Sequence, residues 1–348
     1  MTTLLPAVEE ARPLVITGMH RSGTSLLASL CAGAGVNVGS RLMGASRGND
    51  RGHWEDLDFY EFHARALEAN GVGPEGFACA DELLVPPAMR DDAARVIAGK
   101  AAPQTPWGWK DPRTTLFLDF WQSLLPEAVY VFVFRSPWEV ADSLFRRGDA
   151  IFVRHPAFAV RVWYHYNRSI VNFFLANRSK CVLKEVTQVA ANPAAVFAEV
   201  REHLGVPVGE PPARFEEPLL QRDDGSLRQD IVAAFQPEAM ALYAEMRRLA
   251  GFDDSTSDVP TPCDMATLAE HAIVEWSRAA ATTNQARAVA EARLAGEVAA
   301  RVAELDREKR AAEGKARELQ VLVNELALQI QRLALGGSAV GASDRHAA

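Results

Sequence analysis

The chain has 348 residues, of which 48% are hydrophobic and 24% are charged, and its formal net charge is −8. This length and balance are typical of a folded protein with one large domain and an appendage. An acidic chain argues against broad affinity for nucleic acid or anionic membranes, because both need basic protein surface, so an anionic ligand must find a local pocket.

Cysteine usage and apolar patterning bear on the cellular setting. The four cysteines are Cys31, Cys79, Cys181 and Cys263. They are widely spaced and form no C-x-x-C pair, so neither a zinc site nor a disulfide framework is indicated. The first residues, MTTLLPAVEEARP, hold no sustained apolar core, and no segment approaches the roughly 18 apolar residues of a membrane span. We therefore expect a cytoplasmic protein without a transmembrane segment.

The first predicted element is a buried strand, Leu14–Thr17, and the next is a helix over Ser25–Ala34. Between them lies GMHRSGTS, Gly18–Ser25, whose spacing matches the phosphate-binding P-loop pattern G-x-x-x-x-G-K-[ST]. Thr24 stands where that pattern has lysine. Because backbone N–H groups and the helix dipole supply most of the attraction, we expect the loop to bind an anion without the lysine.

The side chains of this loop add further donors for an anion. Arg21 places a guanidinium in the turn, and the hydroxyl donors are Ser22, Thr24 and Ser25. A nucleoside triphosphate brings magnesium, which usually needs a carboxylate after another strand, and no apolar run here ends in a lone Asp of that kind. A ligand of lower charge, bound without metal, fits better. The alternative is a glycine-rich turn that binds no ligand.

Later segments continue the alternation of strands and helices, which is typical of helices packed on a parallel sheet. Central strands are predicted at Val129–Phe134 and Cys181–Leu183. Helices are predicted over Leu57–Asn70, Pro137–Arg147, Pro156–Asn177 and about Leu227–Ala250, and an irregular segment over Gly205–Gln221. The predicted fold is α/β, a P-loop three-layer sandwich with a central parallel sheet, over residues 13–255 after a tail of residues 1–12.

The character of the sequence changes after residue 255. We expect a linker and a helix over residues 256–284, a coiled coil over 285–335 and a disordered tail over 336–348. The heptads place Val298, Leu305, Ala312, Leu319, Leu326 and Leu333 at d, and Ala295, Val302, Lys309, Ala316, Val323 and Ile330 at a. Weak residues in the middle leave an intramolecular or marginal coil as the alternative to a homodimer or to docking on a partner.

Two motifs carry a resemblance to a known family. GMHRSGTS resembles the 5′-phosphosulfate loop of the sulfotransferases that use 3′-phosphoadenylyl sulfate (PAPS), in which G-x-x-R-S-G-T-[ST] is characteristic. By this resemblance the loop residues that hold the donor are Arg21, Ser22, Gly23, Thr24 and Ser25. VYVFVFRSPWEVADSL resembles the family's 3′-phosphate motif, which implies that Arg135 and Ser143 hold the 3′-phosphate. An ordinary ion pair between Arg135 and Glu139 is the alternative.

A third match is WGWKDPRTTLFLDFW, Trp107–Trp121, which resembles the K-D-P segment of the protein-tyrosine and bacterial glycan branches. The resemblance places Lys110 near the bridging oxygen of the donor, where it would replace the missing loop lysine and act with Arg21 in catalysis. Arg113 is a candidate for the same charge field or for the acceptor site. Asp111 is expected to position these cations.

The predicted reaction needs an in-line arrangement, cations at the leaving group and a general base for the acceptor hydroxyl. RGHWE, Arg51–Glu55, resembles the R-G-x-W-E segment of bacterial members and implies Glu55 as the base. A purely structural carboxylate at a helix N-terminus is the alternative role. His53 is the rival base, because an imidazole titrates near neutrality, and Asp56 and Asp58 are further candidates.

The match, over residues 13–200, also departs from the family. The loop lysine and the separate catalytic histidine of the cytosolic small-molecule branch are not evident, and a Y-E-D-L-like strand end is present only as LKEV, without tyrosine. The resemblance implies a PAPS-dependent enzyme of bacterial glycan modification that sulfates a hydroxyl of a carbohydrate or other sizeable acceptor. Trp54, Trp107 and Trp109 are candidates to stack on sugar rings or to fill the core. A kinase with a divergent loop and a non-catalytic coiled-coil assembly protein are the alternatives.

Overall fold

The computed structural model describes residues 12–44, 52–80, 83–100, 106–212, 226–253 and 266–340. The chain forms two compact units, Met1–Asn284 and Gln285–Ala348. Within the described residues, no helix has both the length and the apolar character needed to span a membrane.

The first unit is built on a parallel sheet of four strands in the order β2–β1–β3–β4. These strands are β1 (Leu14–Thr17), β2 (Gly108–Lys110), β3 (Val129–Phe134) and β4 (Cys181–Glu185). The predicted α/β fold with a central parallel sheet is therefore confirmed. β1 and β3 have the predicted bounds, whereas β4 is longer than the predicted strand, and β2 lies in the segment Trp107–Trp121, for which no strand bounds were predicted.

Helices cover both faces of the sheet. Those of the first unit are α1 (Thr24–Gly33), α2 (Leu57–Ala69), α3 (Arg90–Ala98), α4 (Leu118–Leu124), α5 (Pro137–Arg147), α6 (Ala150–Arg154), α7 (Phe158–Ala176), α8 (Val186–Ala191), α9 (Pro193–Leu204), α10 (Ser226–Phe235) and α11 (Pro237–Leu249). Short 3₁₀ helices lie at Pro87–Met89, Pro112–Phe117 and Arg178–Lys180. The single helix predicted near residues 227–250 is wrong. It is two helices, because Pro237 lacks an N–H group and starts a new one.

The alternation of side chains along the strands produces two separate cores. On β3, Val129, Val131 and Val133 join the core beneath α1 and α9. The intervening Tyr130, Phe132 and Phe134 join the larger core under α5, α7 and α11. A strand buried on both faces must be apolar at every position, which explains the continuous run VYVFVF.

The part of the chain after α9 adds to the larger core. Residues 205–212 form neither helix nor strand, and the rest of the predicted irregular segment lies outside the described residues. The long helix α12 (Ala266–Val340) contributes Ile273, Trp276 and Ala280 to the core of the first unit. The Trp276 indole N–H donates to Asp142 Oδ1 of α5 at 2.9 Å.

The second unit contains the remainder of α12. From Ala295 to Ile330, every a and d residue of the predicted heptads is exposed on this helix. The helix continues to Val340, beyond the predicted end of the coil at residue 335.

Candidate active site at the carboxyl ends of the strands

The parallel sheet brings three of the predicted motifs to one edge. The loop Gly18–Gly23 follows β1, Lys110 ends β2, and Arg135 follows β3. Because β1 lies between β2 and β3, the carboxyl ends of these strands are neighbours. In open α/β sheets this edge is where ligands bind.

Glycines at both ends of the loop are required by close packing. Gly18 has φ of 154°, and a Cβ there would lie 2.1 Å from the carbonyl oxygen of Val133. Gly23 has φ of 93°, and a Cβ there would lie 2.3 Å from Cγ2 of Val186. The loop leads directly into α1, whose first N–H groups have no partner within the helix and so are available to an anion.

Backbone strain is concentrated at this edge. Of the described residues other than glycine, Arg21 and Trp54 are the ones with positive φ, at 67° and 61°. Such conformations cost free energy and persist where surrounding structure enforces them, commonly at functional sites. Arg21 lies in the loop, and Trp54 immediately precedes Glu55.

Arg21 connects the loop to α5. Its Nε donates to Ser143 Oγ at 2.8 Å, so the two segments with the predicted phosphate contacts meet. Burial, together with the neighbouring Arg147, Arg135 and Arg146, lowers the pKa of Arg21 to about 10. The concentration of positive charge around Arg21 would favour a bound anion.

Arg146 and Arg147, in the last turn of α5, were not predicted as site residues. Arg146 pairs with Asp142, and Arg147 Nε donates to Asp149 Oδ2 at 2.6 Å. In the sequence such a pair is typical of a helix C-terminus, where basic side chains complement the dipole. Arg146 and Arg147 come close to Arg21 only in the folded chain, so the sequence alone did not indicate their effect on its pKa.

Arg135 is buried and is held on two sides. Its guanidinium approaches both carboxylate oxygens of Glu139 at 3.3 Å, and its carbonyl oxygen accepts from Trp163 Nε1 at 2.9 Å. The hydroxyl of Ser136 also donates to Glu139, at 2.6 Å. The ion pair that the sequence offered as an alternative is therefore present, and a phosphate bound here must share Arg135 with Glu139.

Lys110 reaches the start of α1 from the neighbouring strand. Its Nζ donates to Glu55 Oε1 at 2.7 Å, to the carbonyl oxygen of His53 at 2.8 Å and to Ser25 Oγ at 3.1 Å. Lys110 and Glu55 are only 2% and 4% exposed, so their charges interact with little screening by water. The structure thus brings Lys110, Glu55, His53 and the loop together.

Glu55 retains an unused oxygen. Its Oε2 is buried and has no hydrogen-bond partner among the described residues, and His53 Nδ1 lies 3.8 Å away. Burial, with further effects of Lys110 and Arg21, lowers the pKa of His53 below its ordinary value. The backbone holds Glu55 in place, because its carbonyl oxygen accepts from the Met43 N–H at 2.7 Å.

The other two carboxylates of this segment have structural contacts. Asp56 caps α2 and pairs with Lys100 at 2.8 Å. Asp58 pairs with Arg41 and with the same Lys100. Neither Asp56 nor Asp58 is among the hydrogen-bond partners of Lys110, which in the described part of the chain are Ser25, His53 and Glu55.

Asp111 organises a buried network behind Lys110. Its Oδ1 accepts from the backbone N–H and from Nη1 of Arg113, both at 2.9 Å. Trp121 Nε1 can only donate, and it does so to His63 Nε2 at 2.9 Å, which leaves the proton on Nδ1 facing Asp111 Oδ2 at 3.0 Å. Burial alone would raise the pKa of Asp111, but Arg113 and His63 lower that pKa far below its ordinary value.

This network fixes Arg113 in turn. Asp111 raises the pKa of Arg113 although burial opposes its charge, and Arg113 Nε donates to the carbonyl oxygen of Pro74 at 2.6 Å. Tyr166 holds the same segment through the carbonyl oxygen of Gly76 at 2.8 Å. His63 was not predicted as part of the site, since in the sequence it is one residue of an amphipathic helix.

His20 is a further loop residue that the sequence did not single out. Its ring lies 5.3 Å from that of Phe77, and its Nε2 is buried without a partner among the described residues. Burial, then Arg113 and Arg147, lowers the pKa of His20 well below 6.5. Ser22 Oγ, in the same loop, is likewise buried without a hydrogen-bond partner in the described part of the chain.

The aromatic candidates for sugar stacking are mostly core residues. Trp107 and Trp109 are 4% and 0% exposed and belong to the larger core. Trp54 is partly buried, so it alone of these tryptophans keeps accessible surface.

The carboxyl end of β4, where the sequence LKEV has no tyrosine, is contacted by a tyrosine of α11. Glu185 ends β4, and Tyr243 of α11 donates its hydroxyl to Glu185 Oε1 at 2.5 Å. Arg247 adds an ion pair to the other oxygen at 3.0 Å. Two residues one helical turn apart on α11 thus complete the environment of this carboxylate.

No group of three His, Cys, Asp or Glu side chains within the described ranges is placed to hold a metal ion. A cavity of about 380 Å³ lies beside the start of β4, and it is remote from the loop. Its lining includes Phe174, Arg178, Glu199 and His203.

Comparison with known proteins identifies the family. Residues 13–210 match the profile described as the sulfotransferase family. The chain belongs to the sulfotransferase family. The predicted membership is therefore confirmed, and the matched range contains the loop, Lys110 and Arg135.

Three solved sulfotransferase structures resemble this chain. The sulfotransferase domain of the Synechococcus PCC 7002 olefin synthase is 19% identical, with a TM-score of 0.38 over 77% of this chain and 95% of that one. STF1 of Mycobacterium tuberculosis H37Rv is 15% identical, with a TM-score of 0.34 over 57% and 68%. STF9 of Mycobacterium avium is 15% identical, with a TM-score of 0.38 over 70% and 69%. The comparison with curated proteins gave no match.

Proposed function

We propose that this sulfotransferase moves a sulfuryl group from PAPS to a hydroxyl of a carbohydrate or other sizeable acceptor. The observation that carries the proposal is the set of cations around a glycine-bounded loop at a helix N-terminus, in which Lys110 and Arg135 are buried and Arg21 is partly buried. Such an arrangement suits a ligand with anionic groups at two places.

The donor would lie along the carboxyl edge of the sheet. Backbone N–H groups at the start of α1 would hold the 5′-phosphosulfate together with Arg21 and the hydroxyl of Ser22, which has no hydrogen-bond partner among the described residues. Thr24 and Ser25 add hydroxyls at the helix start. Arg135 and Ser143 would hold the 3′-phosphate, with Arg21 bridging the two parts through its bond to Ser143.

Lys110 and Glu55 would perform the chemical step. The acceptor oxygen forms a bond to sulfur as the bond from sulfur to the bridging oxygen breaks, and adenosine 3′,5′-bisphosphate leaves with the electron pair. Lys110 would stabilise the negative charge on that leaving oxygen. Glu55 would take the hydroxyl proton on Oε2 while Lys110 holds Oε1.

His53 remains the alternative base. Its pKa is lowered, so its imidazole is neutral and able to accept a proton at neutral pH. Arg113 is fixed by Asp111 and Pro74 next to this region, which supports a role in the charge field or at the acceptor. We propose that this reaction occurs in the cytoplasm, without metal, as part of bacterial glycan modification.

Calorimetric binding of adenosine 3′,5′-bisphosphate, compared with ATP plus magnesium, tests the donor. We expect tight binding of the bisphosphate and weak binding of ATP. Arg135→Ala should weaken bisphosphate binding about 10- to 100-fold, as for loss of a charged hydrogen-bond partner. Arg95→Ala, at a highly exposed arginine of α3, is the control and should bind normally.

A second substitution tests whether Glu139 competes with the ligand for Arg135. Glu139→Gln should strengthen bisphosphate binding, because it removes the carboxylate that competes for Arg135. If the protein preferred ATP with magnesium, a kinase would be the better interpretation. If it bound neither nucleotide, a non-catalytic role would be favoured.

A further inference from the structure

The second unit exposes a long apolar seam. Its a and d residues from Ala295 to Ile330 are all exposed, with Val302 at 60% and Leu326 at 55%. At 1.5 Å per residue this seam extends over roughly 50 Å. A stripe of that length, apolar at every a and d position except Lys309, is unusual on a helix that remains single in water.

The length of the seam argues against an occupant from the same chain. The next longest helix that the structure describes is α7, with 19 residues, and its apolar face is already buried in the larger core. A covering helix must match the seam over five heptads, and a second copy of α12 has that length and that pattern.

The residue types on the seam favour two parallel strands. Three a positions are β-branched, namely Val302, Val323 and Ile330. Four d positions are leucine, namely Leu305, Leu319, Leu326 and Leu333. β-Branched residues at a with leucine at d fit the packing of a parallel two-stranded coil better than that of a trimer or tetramer.

Lys309 gives the seam a defined register. It is the one charged residue at an a position between Ala295 and Ile330, and a single polar a residue specifies alignment and strand number in coiled coils. In a parallel, in-register pair both lysines occupy one layer. Glu308 at g and Glu313 at e flank that layer and would offset the repulsion between the lysines, whereas a shifted register would bury Lys309 against apolar residues.

Charges at the edges of the seam also allow this pairing. In a parallel coil a g residue faces the e residue five positions later on the other strand, so Arg301 faces Asp306 of the second copy. Glu308 faces Glu313 in the same way, and Lys309 lies between them. Within the single helix Lys309 Nζ already lies 4.0 Å from Glu313 Oε1.

We propose that residues 295–333 pair with the same residues of a second copy as a parallel, in-register, two-stranded coiled coil. The proposal does not depend on the sulfotransferase reaction. It concerns the full chain and can fail while the donor site is correct.

Sedimentation equilibrium of the full-length protein tests the pairing. Leu319→Gln with Leu326→Gln changes two d residues and should convert the dimer to a monomer. Val321→Gln with Leu328→Gln is the matched control, because these residues are exposed to a similar extent, 57% and 56%, but lie at f positions away from the seam. A monomeric or trimeric wild type, or equal effects of both double variants, would overturn the proposal.

Disulfide formation tests orientation and register. Val302→Cys should cross-link two copies, because position 302 meets itself in this arrangement. The background chain carries Cys79→Ser, which removes an exposed thiol, and Cys263→Ser, which removes the cysteine outside the described residues. Arg307→Cys, at an f position of the same region, should not cross-link under the same conditions. A dimer in which position 302 fails to cross-link, or does so no faster than position 307, would show that the parallel in-register arrangement is wrong.

Discussion

Lys110 and Glu55 form an ion pair at 2.7 Å with almost no exposure to solvent. Burial of such a pair costs desolvation free energy, and removal of one partner leaves a buried charge without compensation. The pair is therefore better tested by a change that retains the hydrogen bond than by a change to alanine. Glutamine at position 55 keeps an oxygen that can accept from Lys110 but cannot act as a base at neutral pH.

We expect Glu55→Gln to lower turnover by about 10²- to 10⁴-fold while binding of adenosine 3′,5′-bisphosphate stays normal. The measurement is release of the bisphosphate from PAPS in the presence of a simple glycoside acceptor, together with calorimetry. Glu61→Gln, at an exposed carboxylate of α2, is the control. Normal turnover in the Glu55 variant would transfer the role of base to His53.

His20 makes folding stability sensitive to pH. Its surroundings are the cations Arg113, Arg147 and Lys110 and the carboxylate Asp111. The unfolded chain takes up a proton on this histidine as pH falls through about 6.5, whereas the folded protein does so only at much lower pH. The stabilising contribution is therefore present above pH 6.5 and is lost as pH falls from there toward the lowered pKa.

Urea unfolding at pH 7 and at pH 5 measures this effect. We expect the wild type to lose more free energy of unfolding over this interval than His20→Gln, by up to about 1 to 2 kcal/mol. His203→Gln, at an exposed histidine, should behave as the wild type does. Identical pH dependence in His20→Gln and the wild type would contradict the lowered pKa of His20.

Helix α5 connects the candidate site with the later part of the chain. It carries Ser143, which contacts Arg21, and Asp142, which accepts from the Trp276 indole. Trp276 also stacks edge-on against Phe145 at 5.2 Å, and Arg228 lies over its ring at 5.0 Å. The start of α12 is thus bound to a helix of the candidate site although it lies outside the residues matched by the family.

Trp276→Phe removes the indole N–H donor and part of the buried ring while it keeps an aromatic side chain in the core. We expect it to lower the free energy of urea unfolding by about 1 to 3 kcal/mol, because the buried Asp142 loses a donor. Val289→Ala, at a residue of α12 that is 65% exposed, should change stability little. If both variants unfolded alike, the contact between α12 and α5 would not contribute to stability.

The elements whose bounds were predicted correctly are buried elements with a clear pattern in their own residues. The bounds of β1 and β3 were predicted correctly because each strand is an apolar run in the sequence. The start of α5 was predicted correctly because a proline stands at its first helical position. Tyr243, His63, Arg146 and Arg147 were missed as parts of the site, since each reaches its partners through the tertiary fold. The contact of Glu55 with Lys110 was not predicted, because the resemblance assigned each residue separately to the catalytic step.

The proposed coil joins two molecules, so its helices should melt at a temperature that depends on protein concentration. Lys309→Val replaces the one charged a residue with an apolar one and should raise the midpoint of the concentration-dependent helix loss by several degrees. Circular dichroism at 222 nm at several protein concentrations measures it. Arg307→Val, at f, is the control, and an equal shift in both variants would mean that Lys309 is not in the seam.

The separation of the site residues along the chain has a consequence for folding. Ser25 and Lys110 are 85 residues apart, and Arg21 and Ser143 are 122 apart, yet each pair is joined by a hydrogen bond. Contacts between such distant residues form only after long loops have closed, so the ability to bind an anion should return late during refolding. A nucleotide that binds there stabilises only molecules whose parallel sheet is complete, and it would therefore act as a selective ligand for fully folded chains.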